Sequence, residues 1–182
     1  MKTFAGLPFI LILAFAPFLA NAESIAESET KQWSVGVGSY ALIIDSDDYG
    51  DDTFEGYALS ADYAINDNFA VRGNYYSLEH EDLSSLEIDG FELLGYFGTG
   101  LMTEGFKAYI GGGFFSENLD GPFGLDEDFS GLQLNGGLGY NWEYVALDFS
   151  LAVRDPSDYE DLGDDDDDLT VVSGLLKIAF RF

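Results

Sequence analysis

Apolar and polar residues alternate one by one along most of this chain. A period of two is typical of β-strands with two unlike faces, and here it recurs in eight stretches rich in aromatic and β-branched residues. The predicted strands are residues 31–44, 53–65, 69–77, 90–101, 106–115, 131–141, 144–154 and 169–182. No stretch between them repeats with the period of an amphipathic helix. The pattern therefore predicts an all-β fold.

The connections between these strands alternate in length. The short ones are residues 66–68, 102–105 and 142–143. The long ones are residues 45–52, 78–89, 116–130 and 155–168. Short turns on one rim and long loops on the other are typical of membrane-spanning barrels, whose long loops lie outside. We therefore expect an eight-stranded antiparallel up-and-down transmembrane β-barrel with both chain ends on the short-turn, periplasmic side.

The two faces of the predicted strands differ in character. One face of the last strand carries Val172, Gly174, Leu176, Ile178, Phe180 and Phe182, and the other carries Ser173, Leu175, Lys177, Ala179 and Arg181. A soluble β-barrel or sandwich is the alternative interpretation, but eight strands cannot enclose so many large apolar side chains. Aromatic residues also gather at strand ends, where a membrane barrel carries its interfacial girdles. The apolar face is therefore expected to contact lipid.

Charge is distributed as unevenly as apolarity. The chain has 34 acidic residues and a formal net charge of −27, and 24 of the acidic residues lie in the four long connections, which contain no Lys or Arg. Such a chain lacks the basic face that nucleic acid requires. Its aromatic content of 16% also distinguishes it from disordered acidic chains. It contains no cysteine, so its stability in an oxidising compartment does not depend on disulfides.

The first residues have the pattern of a secretory signal. Lys2 precedes an apolar run that ends in the small-residue triplet Ala20-Asn21-Ala22, after which cleavage is expected. A transmembrane helix is the alternative, but Pro8 and Pro17 interrupt the run. The expected organisation is a cleaved signal peptide (residues 1–22), a short periplasmic segment (23–30) and the barrel (31–182).

The last residues carry a more specific resemblance. Phe182, preceded by Phe180, Ile178 and Leu176 at every second position, is similar to the carboxy-terminal signal that the barrel assembly machinery of Gram-negative bacteria recognises. The chain as a whole resembles the small eight-stranded outer-membrane barrels of the outer membrane protein A and X type, a porin-like family. The resemblance implies location in the outer membrane, lipid and lipopolysaccharide as neighbours, and periplasmic chaperones and the assembly machinery as partners during biogenesis.

Charged residues also occur on the predicted inner face. They comprise five cations and three acids: Arg72, Lys107, Arg154, Lys177, Arg181, Asp62, Glu92 and Asp148. Charges in a narrow lumen must be paired and hydrogen-bonded, or each costs several kcal/mol. We therefore expect an internal ion network, which the resemblance to outer membrane protein A also implies. The network either fills the lumen or gates a narrow channel for small solutes.

The long loops contain candidate cation ligands. Carboxylates at Asp45, Asp47 and Asp51 resemble the start of a calcium loop, but Gly56 occupies the position of the bidentate Glu. With the aspartate run that includes Asp164, Asp165 and Asp166, they predict weak binding of Ca²⁺ or Mg²⁺ and no other cofactor. Salt adaptation is the alternative explanation of this acidity, because concentrated salt screens like charges.

One histidine raises the question of catalysis. Some small outer-membrane barrels modify lipid A with a His, a Ser and an acid near the outer rim. Here His80 lies close in sequence to Glu79, Glu81, Ser84 and Ser85, and an acid-oriented His can activate a hydroxyl group. No family motif surrounds these residues, which favours a solvated loop histidine. The sequence thus predicts a non-enzymatic surface protein, with a narrow channel and a lipid A-modifying enzyme as alternatives.

Overall fold

Eight long β-strands account for most of the computed structural model, which describes residues 30–46, 50–83, 85–160 and 169–182. The strands are β1 (Trp33–Ser46), β2 (Gly50–Ala64), β3 (Phe69–His80), β4 (Glu87–Thr99), β5 (Gly105–Gly121), β6 (Leu125–Asn141), β7 (Val145–Arg154) and β8 (Leu169–Arg181). A short 3₁₀ turn, Pro122–Gly124, joins β5 to β6. A single helical turn, α1 (Ser157–Glu160), follows β7. No helix in the described residues is long and apolar enough to cross a membrane.

Each strand pairs with its sequence neighbours, and the first pairs with the last. All eight pairings are antiparallel, and β1 joins β8 from Ser34 opposite Arg181 to Ser46 opposite Leu169. The sheet is therefore a closed barrel with no free edge along its shared length. The predicted eight-stranded antiparallel up-and-down barrel is confirmed.

The strands run further toward the long-loop rim than the sequence predicted. The clearest case is residues 116–130, expected as a loop, in which β5 and β6 continue to pair up to Gly121 opposite Leu125. The inward alternation also continues past Phe115 to Glu117, and both side chains are buried. The Asn118 side chain bridges the hairpin by donating to Asp126 and Asp128 at 2.7 and 3.2 Å. Residues 116–130 were predicted to be a loop because acidic residues are dense there, and acidic residues usually face solvent.

Side chains that point outward form a continuous apolar surface. Leu134 and Ile110, for example, are 75% and 69% exposed. The outward positions of β7 and β8 carry Val145, Leu147, Phe149, Leu151, Val153, Leu176, Ile178 and Phe180, all exposed. Exposing such surface to water costs roughly 25 cal/mol per Å² of apolar area, so this face requires an apolar environment.

Outward aromatic side chains cluster in pairs near the short-turn rim. The pairs are Trp33 with Tyr63, Phe69 with Phe97, Tyr140 with Trp142, and Phe180 with Phe182, at centroid distances of 4.7, 5.1, 4.8 and 6.0 Å. A second group, Tyr57, Tyr75, Phe91 and Phe114, lies outward on the opposite half of the barrel and is exposed. Two aromatic belts on either side of an apolar band are typical of a barrel that spans a bilayer.

Asp67 connects two neighbouring short turns. Its carboxylate accepts hydrogen bonds from the backbone N–H groups of Gly100, Met102 and Thr103 at 3.1–3.2 Å, and from the Thr103 hydroxyl at 2.8 Å. Partial burial acts to raise the pKa of Asp67, but these hydrogen bonds outweigh it and hold the pKa below its ordinary value. Gly100 has a φ of 70°, which favours glycine at this contact.

We predict that Asp67→Asn lowers the free energy of unfolding by about 1 kcal/mol at pH 7, because the variant loses the charge and one acceptor oxygen. A depressed pKa stabilises the fold above the ordinary pKa and ceases to do so as the pH falls through the folded value. The difference from wild type should therefore shrink below about pH 4. Urea unfolding of the refolded barrel at pH 7 and pH 3 measures it, with Glu104→Gln as the control. Equal differences at both pH values would contradict this role.

Candidate functional site

The barrel interior contains two clusters of charged side chains stacked along its axis. The inner cluster, nearer the short-turn rim, comprises Asp62, Arg72, Lys107, Asp148 and Lys177. The outer cluster, nearer the long-loop rim, comprises Arg154 with Glu92 and Glu117 and three tyrosines, Tyr40, Tyr76 and Tyr159.

In the inner cluster, two carboxylates share three cations. Asp62 contacts both Arg72 and Lys177. Asp148 is fully buried and lies 3.1 Å from the Arg72 guanidinium and 2.7 Å from Lys107 Nζ. It also accepts a hydrogen bond of 2.5 Å from the Tyr109 hydroxyl. The register places Asp62 opposite Arg72 and Asp148 opposite Lys177, so strand pairing itself brings opposite charges together.

In the outer cluster, one guanidinium serves two carboxylates. Arg154 lies 3.0 Å from Glu92 and 2.6 Å from Glu117, with all three side chains buried. Its guanidinium also donates to the hydroxyls of Tyr40, Tyr76 and Tyr159 at 2.8–3.2 Å.

Aromatic contacts and tyrosine hydroxyls complete the surroundings of this guanidinium. It lies 4.4 Å from the centroid of the Phe115 ring, a cation–π contact. The three tyrosine hydroxyls donate in turn to the carboxylates, Tyr40 to Glu92, and Tyr76 and Tyr159 to Glu117. These contacts satisfy a buried cation that would otherwise be costly.

A chain of hydrogen bonds joins the two clusters. Lys177 donates to Ser60, Ser60 to Asn74, and Asn74 to Glu92. The two clusters therefore belong to one connected polar network.

Two inward glycines make room for the tyrosines of this network. A Cβ at Gly90 would lie 2.5 Å from the Tyr76 ring, and a Cβ at Gly137 would lie 2.5 Å from the Tyr109 ring. Gly90 is the register partner of Tyr76 on the neighbouring strand. Small inward residues thus alternate with large ones, as a narrow barrel requires.

Apolar side chains fill the interior between the outer cluster and the long-loop rim. This apolar plug consists of Leu42, Phe54, Leu78, Ile88, Phe129 and Val171, all buried, and it packs against Tyr159. Tyr159 belongs to α1, and its ring stacks on that of Phe129 at a centroid distance of 4.7 Å. Two cavities within the described part of the interior measure about 30 and 10 Å³.

Seven of the eight residues expected in the ion network participate in it, and the eighth, Arg181, lies apart. Arg181 is buried but donates to the backbone carbonyls of Trp142 and Met102, both at 2.6 Å. Glu117 is a member that the sequence analysis missed, because its segment was assigned to a loop. The inward tyrosines were missed as well, although the parity of Tyr76 with Arg72 and Asn74 on β3 indicated that it points inward.

The residues proposed as a carboxy-terminal signal lie on the outer face. Leu176, Ile178, Phe180 and Phe182 are each more than half exposed.

The structure describes only some of the proposed cation ligands. Asp47, Asp164, Asp165 and Asp166 lie outside the described residues, as does the side chain of Asp51. Among described residues, no three His, Asp or Glu side chains converge in a way that could hold a metal ion.

His80 is not the solvated loop residue that the sequence suggested, because β3 extends to include it. Its side chain is 9% exposed and packs edge-on against Phe54. Nδ1 accepts hydrogen bonds from the backbone N–H groups of Asp82 and Leu83, both at 3.1 Å, and Nε2 lies 3.2 Å from Asp52. Both ring nitrogens are therefore engaged in holding the end of β3.

A closed eight-stranded barrel with an apolar exterior, aromatic belts and a polar interior is the architecture of the small outer-membrane proteins of Gram-negative bacteria. The solved structures that share this fold include three outer-membrane proteins. Ail, the attachment invasion locus protein of Yersinia pestis, is 19% identical over 84% of this chain and 99% of its own, with a TM-score of 0.57.

Neisserial surface protein A is 18% identical over 84% of this chain and 97% of its own, with a TM-score of 0.58. OprG of Pseudomonas aeruginosa is 14% identical over 85% and 98%, with a TM-score of 0.55. A further structure of Ail contains the heparin analogue sucrose octasulfate. No family model and no curated protein matches the sequence.

We predict that Arg154→Met lowers the free energy of unfolding by about 3–5 kcal/mol, because it leaves two buried carboxylates without their cation. Adding Glu117→Gln should restore part of the loss, so the two substitutions will not be additive. A double-mutant cycle by urea unfolding in nonionic detergent measures the coupling. Arg181→Met is the matched control, since its loss leaves no buried carboxylate unpaired and should cost about 1–3 kcal/mol. Additive effects of the first pair would refute the assignment.

Proposed function

We propose that this chain is a non-enzymatic outer-membrane barrel that acts at the cell surface through its acidic loops and does not conduct solutes. The observation that carries the proposal is the filled interior. The apolar plug and the outer cluster occupy the half of the barrel toward the long-loop rim, and the remaining cavities are of water size. Eight strands leave an interior that side chains just fill. The narrow channel, the alternative from the sequence, would require many buried contacts to break together.

The expected electrical result is the absence of a steady conductance when the refolded wild-type protein is inserted into planar bilayers. Buried ion pairs, and apolar side chains that cannot solvate an ion, are the physical reason. A large porin reconstituted in the same bilayers provides the positive control. A stable open state of the wild-type protein, with a conductance proportional to the salt concentration, would overturn the non-conducting assignment.

The surroundings of His80 support a structural role over a catalytic one. A general base needs a free nitrogen within hydrogen-bond distance of the nucleophile. Nδ1 accepts two backbone N–H groups and Nε2 faces Asp52, so the ring has no free acceptor for a serine hydroxyl. We therefore propose no lipid A-modifying activity.

The loops favour partners of positive charge. The β5–β6 hairpin presents exposed Asp120, Asp126, Glu127 and Asp128, and residues 116–130 contain no Lys or Arg. The heparin analogue bound by Ail is a polyanion, and the acidic loops of this chain oppose such a ligand by like-charge repulsion. A basic surface is the partner that this charge selects.

Divalent cations offer a second route to a partner. Lipopolysaccharide carries phosphate, so loop carboxylates bind it only with Ca²⁺ or Mg²⁺ as a bridge. We propose weak and diffuse cation binding at the long-loop rim, with Asp45 and the aspartate run that includes residues 164–166 among the contributors. Such binding is electrostatic and decreases with added salt.

We predict that the refolded barrel binds a lysine-rich peptide at low salt and does not bind heparin. Substituting Asp120→Asn together with Glu127→Gln should weaken peptide binding several-fold, because two exposed hairpin charges are lost. The matched control is Glu104→Gln with Glu143→Gln, which removes two exposed charges from the short-turn rim. Biosensor titrations at several salt concentrations provide the measurement. Equal weakening by both pairs, or tight binding of heparin, would contradict a role of the acidic loops in ligand choice.

A further inference from the structure

A small cavity opens between the inner cluster and the short-turn rim. Its volume is about 30 Å³. The charged side chains in its wall are Lys31, Asp62, Arg72, Lys107 and Arg181, and the polar ones include Asn141. Three of these cations are buried, with exposed fractions of 2% for Arg72, 8% for Lys107 and 3% for Arg181. Buried charges in a cavity wall make this a formed site rather than a surface patch.

The wall has more positive charge than the nearby carboxylates neutralise. Asp62 is shared by Arg72 and Lys177, and Asp148 by Arg72 and Lys107, so three cations face two anions. Arg181 adds a further charge. Among the described residues its guanidinium donates only to backbone carbonyls, and the carboxylate that attracts it electrostatically, Glu104, is exposed. The Lys107 ammonium forms an ion pair of 2.7 Å with Asp148, and an ammonium can donate three hydrogen bonds.

This excess is unusual within the molecule. The protein has a net charge of −27, and the outer cluster has two carboxylates for one guanidinium. The inner cluster, by contrast, has more cations than carboxylates. Uncompensated cations in a low dielectric attract an anion far more strongly than surface cations do. A volume near 30 Å³ accommodates about two to three particles of water size, since about 10–15 Å³ of such space holds one water.

We propose that this cavity binds a single monatomic anion of chloride size, held by Arg72, Lys107 and Arg181. The anion neutralises the excess charge of the inner cluster and so stabilises the barrel at its short-turn rim. The site is independent of the proposed surface function, because it lies at the opposite end of the interior from the acidic loops.

The direct test is a crystal structure of the wild-type barrel grown in sodium bromide. The expected result is an anomalous bromide peak within about 3–4 Å of the Lys107 ammonium and the Arg181 guanidinium. The absence of such a peak from an ordered cavity at high bromide concentration would overturn the proposal.

A solution test uses the unfolding temperature of the refolded barrel in nonionic detergent. Chloride should raise it by a few degrees relative to gluconate at equal ionic strength, because a ligand that binds only the folded state stabilises it. Arg181→Gln should abolish the chloride-specific increment. Glu143→Gln is the matched control, because Glu143 is an exposed charge of the short-turn rim that does not line the cavity, and this variant should retain the increment. Equal effects of chloride and gluconate on the wild-type protein would refute the proposal.

Discussion

The structure depends on the narrowness of an eight-stranded barrel. Closure with this number of strands leaves an interior just wide enough for side chains to fill. Because side chains alternate, every second residue of a strand must fit that space, and the residues between them must face the surroundings. The apolar exterior is therefore not a separate property of the sequence. It follows from an interior that cannot hold the many large side chains of β7 and β8, which leaves an apolar solvent as their stable environment.

The same narrowness explains why charge inside the barrel is organised in pairs. A charge on an inward position loses its hydration and must recover it from neighbours on adjacent strands. The register supplies them, since Asp62 lies opposite Arg72 and Asp148 opposite Lys177. Tyrosines then bring hydroxyl donors to the carboxylates where no second cation reaches, as around Glu117. The strand register that closes the barrel thus also sets which charged side chains meet inside it.

The sequence predicted the fold well because closure and alternation are periodic properties. The strand count and the inward parity of Arg72, Arg154 and Lys177 follow from a period of two, and the up-and-down order of the strands follows from the alternating lengths of their connections. The sequence pattern could not predict how far each strand extends toward the long-loop rim. Glu117 was assigned to a loop because charge density indicated solvent, whereas the β5–β6 hairpin continues for several more residues. His80 was misjudged for the same reason, since β3 extends to include it.

Arg181 shows a second limit of sequence reasoning. Parity places its side chain inside, and charge alone then suggests a carboxylate partner. Its height along the axis, however, is set by the register of β8 with β1, where Arg181 lies opposite Ser34. At that level the nearby acceptors are the carbonyls of Trp142 and Met102, at the turns that close the barrel. Among the described residues a cation in this position donates to no carboxylate and instead ties two turns together. The interior is therefore more positive at its short-turn end, while the acidic residues of the β5–β6 hairpin stand at the opposite rim. The molecule carries a polarity of charge along the barrel axis that neither its composition nor its net charge reveals.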